Sequence, residues 1–280
     1  MTQLAEEAPP AHGRAGRNLP MAIAIGAGLG ALALTTLFAY KQAFVALVVV
    51  AIALGTWEVT RSLRVVDLRA PLLPLLVGSV AMIVTAYRDG PENLVVALML
   101  TILAVVIWRL ADGIEGYLPD VAAGIFTAVY VPFLAGFAAL MVAPPDGPRR
   151  ATIFIATVVA SDCGGYAAGV FFGKHPMAPS VSPKKSWEGF VGSTLACMLC
   201  GAILLTVLLD GQIWQGVVFG LATVCAATLG DLGESMIKRD LGIKDMGTLL
   251  PGHGGIMDRL DSLLTTAPVA YLLLTAFASP

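Results

Sequence analysis

The sequence predicts an all-α polytopic integral membrane protein with about nine transmembrane helices, and three observations predict it. Apolar residues make up 57 % of the 280 positions and charged residues 13 %, where a soluble domain carries roughly 45–50 % and about 25 %. Mean hydropathy is +0.83. The apolar residues run in continuous Ala- and Leu-rich stretches of bilayer length, whereas a transmembrane barrel needs alternating segments of about ten residues. A disordered chain, a collagen-like repeat, a disulfide scaffold and a soluble enzyme are excluded on these grounds. The net charge of −2 leaves no basic footprint for nucleic acid, which is not expected as a partner.

Taken in order, residues 1–19 are polar and expected to be a disordered tail. No convincing small-residue cleavage site follows the first apolar run, so that run is expected to stay as a span. The nine spans fall at about 20–39, 42–60, 71–87, 93–110, 120–142, 151–172, 188–209, 213–237 and 257–278. Gly26, Gly28 and Gly30 in the first suit close helix packing, since a nucleotide loop needs a strand before it. Trp57 and Glu58 blunt the end of the second. Through the fifth span the charges lie mostly in short loops, so 20–150 reads as a scaffold of about five helices. The sixth carries Asp162 inside Ser161-Asp-Cys-Gly-Gly-Tyr166; the eighth carries Asp231 and Glu234 in its last turns; the ninth opens on Asp258 and Asp261. Residues 151–280 are therefore expected to form a catalytic region of about four helices. Cys163, Cys197, Cys200 and Cys225 all fall in apolar runs without the partners of a zinc set and read as packing residues.

The distribution of positive charge gives the orientation. With the N-terminus in the cytoplasm, thirteen basic residues lie inside: Arg14, Arg17, Arg61, Arg64, Arg69, Arg109, Lys174, Lys184, Lys185, Lys238, Arg239, Lys244 and Arg259. Four lie outside: Lys41, Arg88, Arg149 and Arg150. Nine spans with the C-terminus outside follow.

Charge is concentrated near the C-terminus. Between Asp231 and Asp261, ten of 31 residues are charged, and each costs roughly 2.5–3.5 kcal/mol if it sits in the membrane. Asp258 and Asp261 share a helix face at i, i+3, and Asp231 ends the preceding span at the same depth. Three such carboxylates repel unless a cation intervenes, and oxygen ligands favour a hard ion such as Mg²⁺. The plainer alternative is helix capping by Asp258 and an i, i+4 ion pair between Glu234 and Lys238. Pro251-Gly-His253-Gly254-Gly255 reads beside these charges as a phosphate cradle. A second polar island, Gly173-Lys174-His175-Pro176 and then Ser182-Pro-Lys184-Lys185-Ser186-Trp-Glu188-Gly189, lies on the same side and suits polyphosphate at a helix start, with an ordinary positive-inside loop as the alternative. An acid mid-span such as Asp162 marks a functional site, and the adjacent glycines suggest a thinned or broken helix beside a water-filled cavity, with a buried structural Asp as the alternative. Together they point to a membrane enzyme that acts on phosphates with a divalent metal.

The stretch from Ser235 to Asp261, with Lys238-Arg239, Lys244-Asp245, Gly247, Leu250-Pro251, His253-Gly254-Gly255-Ile256 and Asp258-Arg259-Leu260-Asp261, resembles the signature of the phosphatidate cytidylyltransferases, also called CDP-diacylglycerol synthases. The likeness extends upstream to the Ser161–Tyr166 and Ser182–Gly189 islands, with Ser186 where the family more often has Thr. It implies that CTP and phosphatidic acid give CDP-diacylglycerol and pyrophosphate, with Mg²⁺ as cofactor, a second monovalent cation left open, and a homodimer. It implies Asp231, Asp258 and Asp261 as metal ligands and catalytic residues with Lys238 and Arg259. Lys184, Lys185, Arg239, Lys244, His253, Gly254 and Gly255 would bind substrate phosphates, with Asp162 and Ser182 in the polar cavity. A bacterial plasma membrane is expected, with the active site open to the cytoplasm. Two other readings stay open. Another membrane nucleotide–lipid transferase is one. An ion-coupled transporter using Asp162 and Asp231 is the other, although it predicts two similar halves.

Overall fold

The computed structural model describes residues 19–249 and 254–277. Ten α-helices run in order: α1 Leu19–Ala39, α2 Lys41–Leu63, α3 Leu72–Asp89, α4 Pro91–Leu110, α5 Tyr117–Ala128, α6 Leu134–Val142, α7 Gly147–Phe172, α8 Trp187–Leu209, α9 Ile213–Asp240 and α10 Met257–Phe277. A hairpin of β1 Pro176–Ala178 and β2 Ser182–Ser186 precedes α8. Eight helical stretches among the described residues are long and apolar enough to cross a membrane. Tyr117–Val142, which joins α5 to α6, counts as one of them. Each expected span coincides with a helix, α1 included; of α1, Gly30–Ala39 is the apolar part with described side chains. The expected polar tail, apart from Leu19, lies outside the described residues.

Local sequence sets the boundaries. Gly90, at φ +91°, turns the chain between α3 and α4, and Pro91 opens α4 where a missing N–H costs nothing. Ser186 caps α8 by accepting from Gly189 N at 3.1 Å. Gln212 and Gln215 form a reciprocal capping box on α9. The expected uninterrupted fifth span instead contains a π-turn at Val129–Phe133. Pro132 inside it supplies no N–H and crowds the preceding turn, and the wider turn accommodates it.

Small residues bring the later helices together. A Cβ at Gly192 of α8 would lie 2.7 Å from the Gly164 carbonyl oxygen of α7, so the two backbones are in contact. Ser193 Oγ donates to the Ser161 carbonyl at 2.7 Å in the same seam. The close packing expected of Gly26, Gly28 and Gly30 is not found: no described atom comes within 4 Å of a Cβ at any of them. One apolar cluster takes residues from both halves of the chain, including Leu37, Ile52, Met82, Val105, Val131, Met257 and Leu264.

The up-and-down course gathers the hairpin, the C-terminal ends of α2, α4, α7 and α9, and the N-terminal ends of α3, α5, α8 and α10 at one end of the bundle. Contacts there knit distant segments. Arg69 N donates to Asp120 Oδ1 at 2.6 Å, and Arg239 Nε donates to the Val181 carbonyl at 3.4 Å. Arg109 and Asp120, both buried, pair at 2.8 Å, and Arg109 also holds Asp112 at 2.7 Å. At the opposite end Lys41 Nζ donates to the Pro144 carbonyl at 2.5 Å.

Candidate active site

A cavity of about 210 Å³ opens at the hairpin end, walled by α7, α8, α9 and both strands of the hairpin. Asp162 and Ser161 reach it from α7, Lys184 and Lys185 from β2, and Asp231 from α9. Gly165 and Gly169 on α7 face Gly189 and Ser193 on α8 across it. Small residues thus let two helices meet closely while leaving polar groups a lined space. Lys185 Nζ stands 2.7 Å from Asp231 Oδ2. Arg259, exposed on the first turn of α10, is close enough to Asp162 to act on it electrostatically.

Behind Asp231 lies an acid cluster. Asp231 and Glu234 sit three apart on α9, and the Asp261 carboxylate of α10 is close enough to act electrostatically on both. Glu234 is fully buried, and neither of its carboxylate oxygens has a hydrogen-bond donor among the described residues. Lys238 lies 3.5 Å from Glu234 Oε1 and 2.9 Å from Asp258 Oδ1, so one ammonium bridges the two helices. Clustered carboxylates at this depth need positive charge, and lysines supply part of it.

Asp258 faces elsewhere than Asp231 and Asp261. Its oxygens accept from Lys238 Nζ, from Gly255 N at 2.7 Å and from Met246 N at 3.1 Å. It ties the segment before residue 250 to the segment after residue 253. Among the described residues no three His, Cys, Asp or Glu side chains stand as a ready metal set. The structure brings Asp231, Glu234 and Asp261 together, where the sequence pointed to Asp231, Asp258 and Asp261. Glu234 pairs with Lys238 as the plainer alternative has it, and Asp258 takes the Gly255 N–H just ahead of α10. The Met257 N–H is taken at 2.8 Å by Glu58 Oε2 of α2.

The remaining expected residues are placed as follows. Ser182 starts β2 opposite Ala178, outside the cavity lining. Arg239 holds the hairpin tip through Val181. Lys244 is exposed in the turn after α9. Gly254 takes φ +80°, a conformation that favours glycine. His253, with Pro251 and Gly252, lies outside the described residues. Two residues here were not named as site residues from the sequence. Glu234 was visible in the charge cluster, and Glu58 is an acid ending an apolar run, the same signal that marked Asp162.

The chain matches the cytidylyltransferase family over residues 21–277. It is 45 % identical to the phosphatidate cytidylyltransferase of Mycobacterium leprae, over 94 % of this chain and 89 % of that protein. It is 43 % identical to the protein of the same name from Mycobacterium bovis, over 94 % and 90 %. A third of that name, from Haemophilus influenzae, is 39 % identical over 49 % of this chain and 51 % of its own length. A match that runs from α1 to the last residue of α10 takes in every wall of the cavity, and on that ground the chain belongs to the cytidylyltransferase family.

Proposed function

We propose that the chain transfers the cytidylyl group of CTP to phosphatidic acid, giving CDP-diacylglycerol and pyrophosphate for phospholipid synthesis. The observation that carries this is the cavity in which two lysines of an extramembrane hairpin meet Asp162 and Asp231 of two spans. A water-soluble triphosphate and a membrane-held phosphate need such a meeting place. A phosphate oxygen of the lipid attacks the α-phosphorus of CTP, a new P–O bond forms, and the bond to the β-phosphate oxygen breaks. The attacking oxygen is largely ionised near neutral pH, so no strong general base is required. Catalysis is then mostly positioning and charge neutralisation. Lys184 and Lys185 face the phosphates, and Arg259 lies near the cavity to add to their charge.

The acid cluster offers the oxygen donors that a hard divalent cation takes, although its three side chains do not stand as a ready set. Glu234 has two buried oxygens without donors, and oxygen donors are what Mg²⁺ takes. Asp231, Glu234 and Asp261 would hold it, and it would supply charge neutralisation at the phosphates. The cytoplasmic placement of the hairpin end rests on the thirteen-to-four bias of basic residues, and CTP is a cytosolic substrate. A bacterial plasma membrane and assembly as a homodimer are part of the same reading, and light scattering of the detergent-solubilised protein checks the assembly.

The test is pyrophosphate release by purified protein given CTP, phosphatidic acid and Mg²⁺, with each omitted in turn. Release that requires all three, with a CDP-lipid product, is the expected result. No release from a folded, lipid-supplemented sample would turn attention to other nucleotides and lipid acceptors.

A further inference from the structure

We propose that Glu58, on a helix of the N-terminal half, is a positioning residue for the transfer site, and that Gly247 and Gly255 are glycines because its carboxylate occupies the space a side chain would need. The inference rests on the transfer reaction proposed above.

Glu58 lies five residues before the end of α2 and is 1 % exposed. Oε2 accepts from Met257 N, the first residue of α10, at 2.8 Å. A helix start carries unpaired N–H groups and partial positive charge, so a carboxylate is a favourable partner there. Oε1 has no hydrogen-bond partner among the described residues. Two backbone segments press on the same carboxylate: a Cβ at Gly247 or at Gly255 would collide with it. Neither glycine is among the positive-φ residues. Backbone conformation therefore does not demand glycine at these two positions; a side chain there would have to displace the buried Glu58 carboxylate.

One turn further along α2, on the same face, Ser62 Oγ donates to the Met246 carbonyl at 2.9 Å. The Met246 N–H goes to Asp258. Met246 is thus held from α2 on one side and from α10 on the other. The chain of contacts runs from Glu58 through the Met257 N–H to the first turn of α10, from Asp258 to Lys238, and from Lys238 to the acid cluster. Glu58 lines no part of the cavity, so it acts through these groups and not on substrate.

The experiment compares Glu58→Ala, Glu58→Gln, Gly247→Ala and the double variant Glu58→Ala/Gly247→Ala in full-length protein, with CDP-lipid formation as one readout. Glu58→Ala should lower kcat by about 100-fold, the scale of a misplaced catalytic group, with the KM for phosphatidic acid held. Glu58→Gln keeps an oxygen for Met257 N and should stay within about tenfold of wild type. Gly247→Ala should lose activity alone yet cost nothing further on the Glu58→Ala background, because the methyl then has room. Losses that multiply in the double variant, or wild-type turnover by Glu58→Ala, overturn the proposal.

Amide hydrogen exchange without substrate is the second readout. Protection at Met257 and Met246 should fall in Glu58→Ala while the spans stay protected, and unchanged protection there overturns the proposal. This arm reads the clamp even if wild-type protein makes no CDP-lipid, which would count against the reaction alone. Glu58→Asp replaces Glu58→Ala in every comparison if the alanine variant does not fold, since it keeps the charge and withdraws the carboxylate by one methylene.

Discussion

Lys185 of the hairpin and Asp231 of α9 meet at 2.7 Å, 46 residues apart in sequence, at the wall of the polar cavity. Both side chains keep about a quarter of their surface, 25 % and 28 %. The pair is therefore open to exchange: an arriving phosphate competes for the lysine, and a cation competes for the aspartate. Lys185→Ala should raise the KM for CTP about 10- to 100-fold, the worth of one hydrogen bond to a charged group. Steady-state kinetics with phosphatidic acid saturating reads it; an unchanged KM would place the triphosphate elsewhere.

Asp261 acts electrostatically on both Asp231 and Glu234, so its loss should be felt as a loss of cation affinity. Asp261→Asn and Glu234→Gln should fold and insert, and each should shift the Mg²⁺ dependence of turnover upward by about 10- to 100-fold or abolish it. Near-normal activity of Asp261→Asn at low Mg²⁺ would remove it from the cation site. Asp258→Asn is expected to abolish turnover as well, by releasing Lys238 and the Met246 and Gly255 amides.

Arg109 and Asp120 are buried and paired at 2.8 Å, and neither lines the cavity. Removing one partner leaves an uncompensated charge, which costs about 3–5 kcal/mol. Arg109→Met should therefore lower the thermal midpoint in detergent, while the folded fraction keeps its kcat and KM. A changed KM for either substrate would mean that the pair shapes the site.

The orientation is open to labelling. In a cysteine-free background, Lys244→Cys should react with a membrane-impermeant maleimide only in inverted vesicles. Asp210→Cys, exposed between α8 and α9 at the other end of the bundle, should react only in right-side-out ones. The opposite pattern would invert the topology.

The spans were legible because lipid leaves the backbone no alternative to helices, and each apolar run is bounded by charge, Gly or Pro. The π-turn at Val129–Phe133 was not, since Pro132 signals a break without saying how neighbours will repair it. Asp162, Lys184, Lys185 and Asp231 were legible as polar groups out of place in an apolar chain. Their convergence on one cavity depended on the α7–α8 glycine contact, which spacing alone does not orient. Asp258 and Asp261 sit on one turn of α10, yet one turns to the Met246 and Gly255 amides and the other to the acid cluster. Sequence periodicity places a side chain on a face; the donors that meet it there come from segments far away. Glu58 was passed over because its partners, Gly247, Gly255 and Met257, lie across the whole chain from it.

That distance also has a meaning in time. Glu58 and the amide that receives it are 199 residues apart. At about 5–20 residues per second of synthesis, α2 leaves the ribosome roughly 10–40 s before Met257 is made. For that interval the carboxylate has no α10 to cap, and its place near the end of α2 lets it wait at the lipid headgroups. The helix that fetches it inward is thus made 199 residues after it. Maturation of the site waits until translation reaches α10, and a ribosome stalled before it would hold a nascent chain with the earlier spans made and its α2 carboxylate still unclaimed.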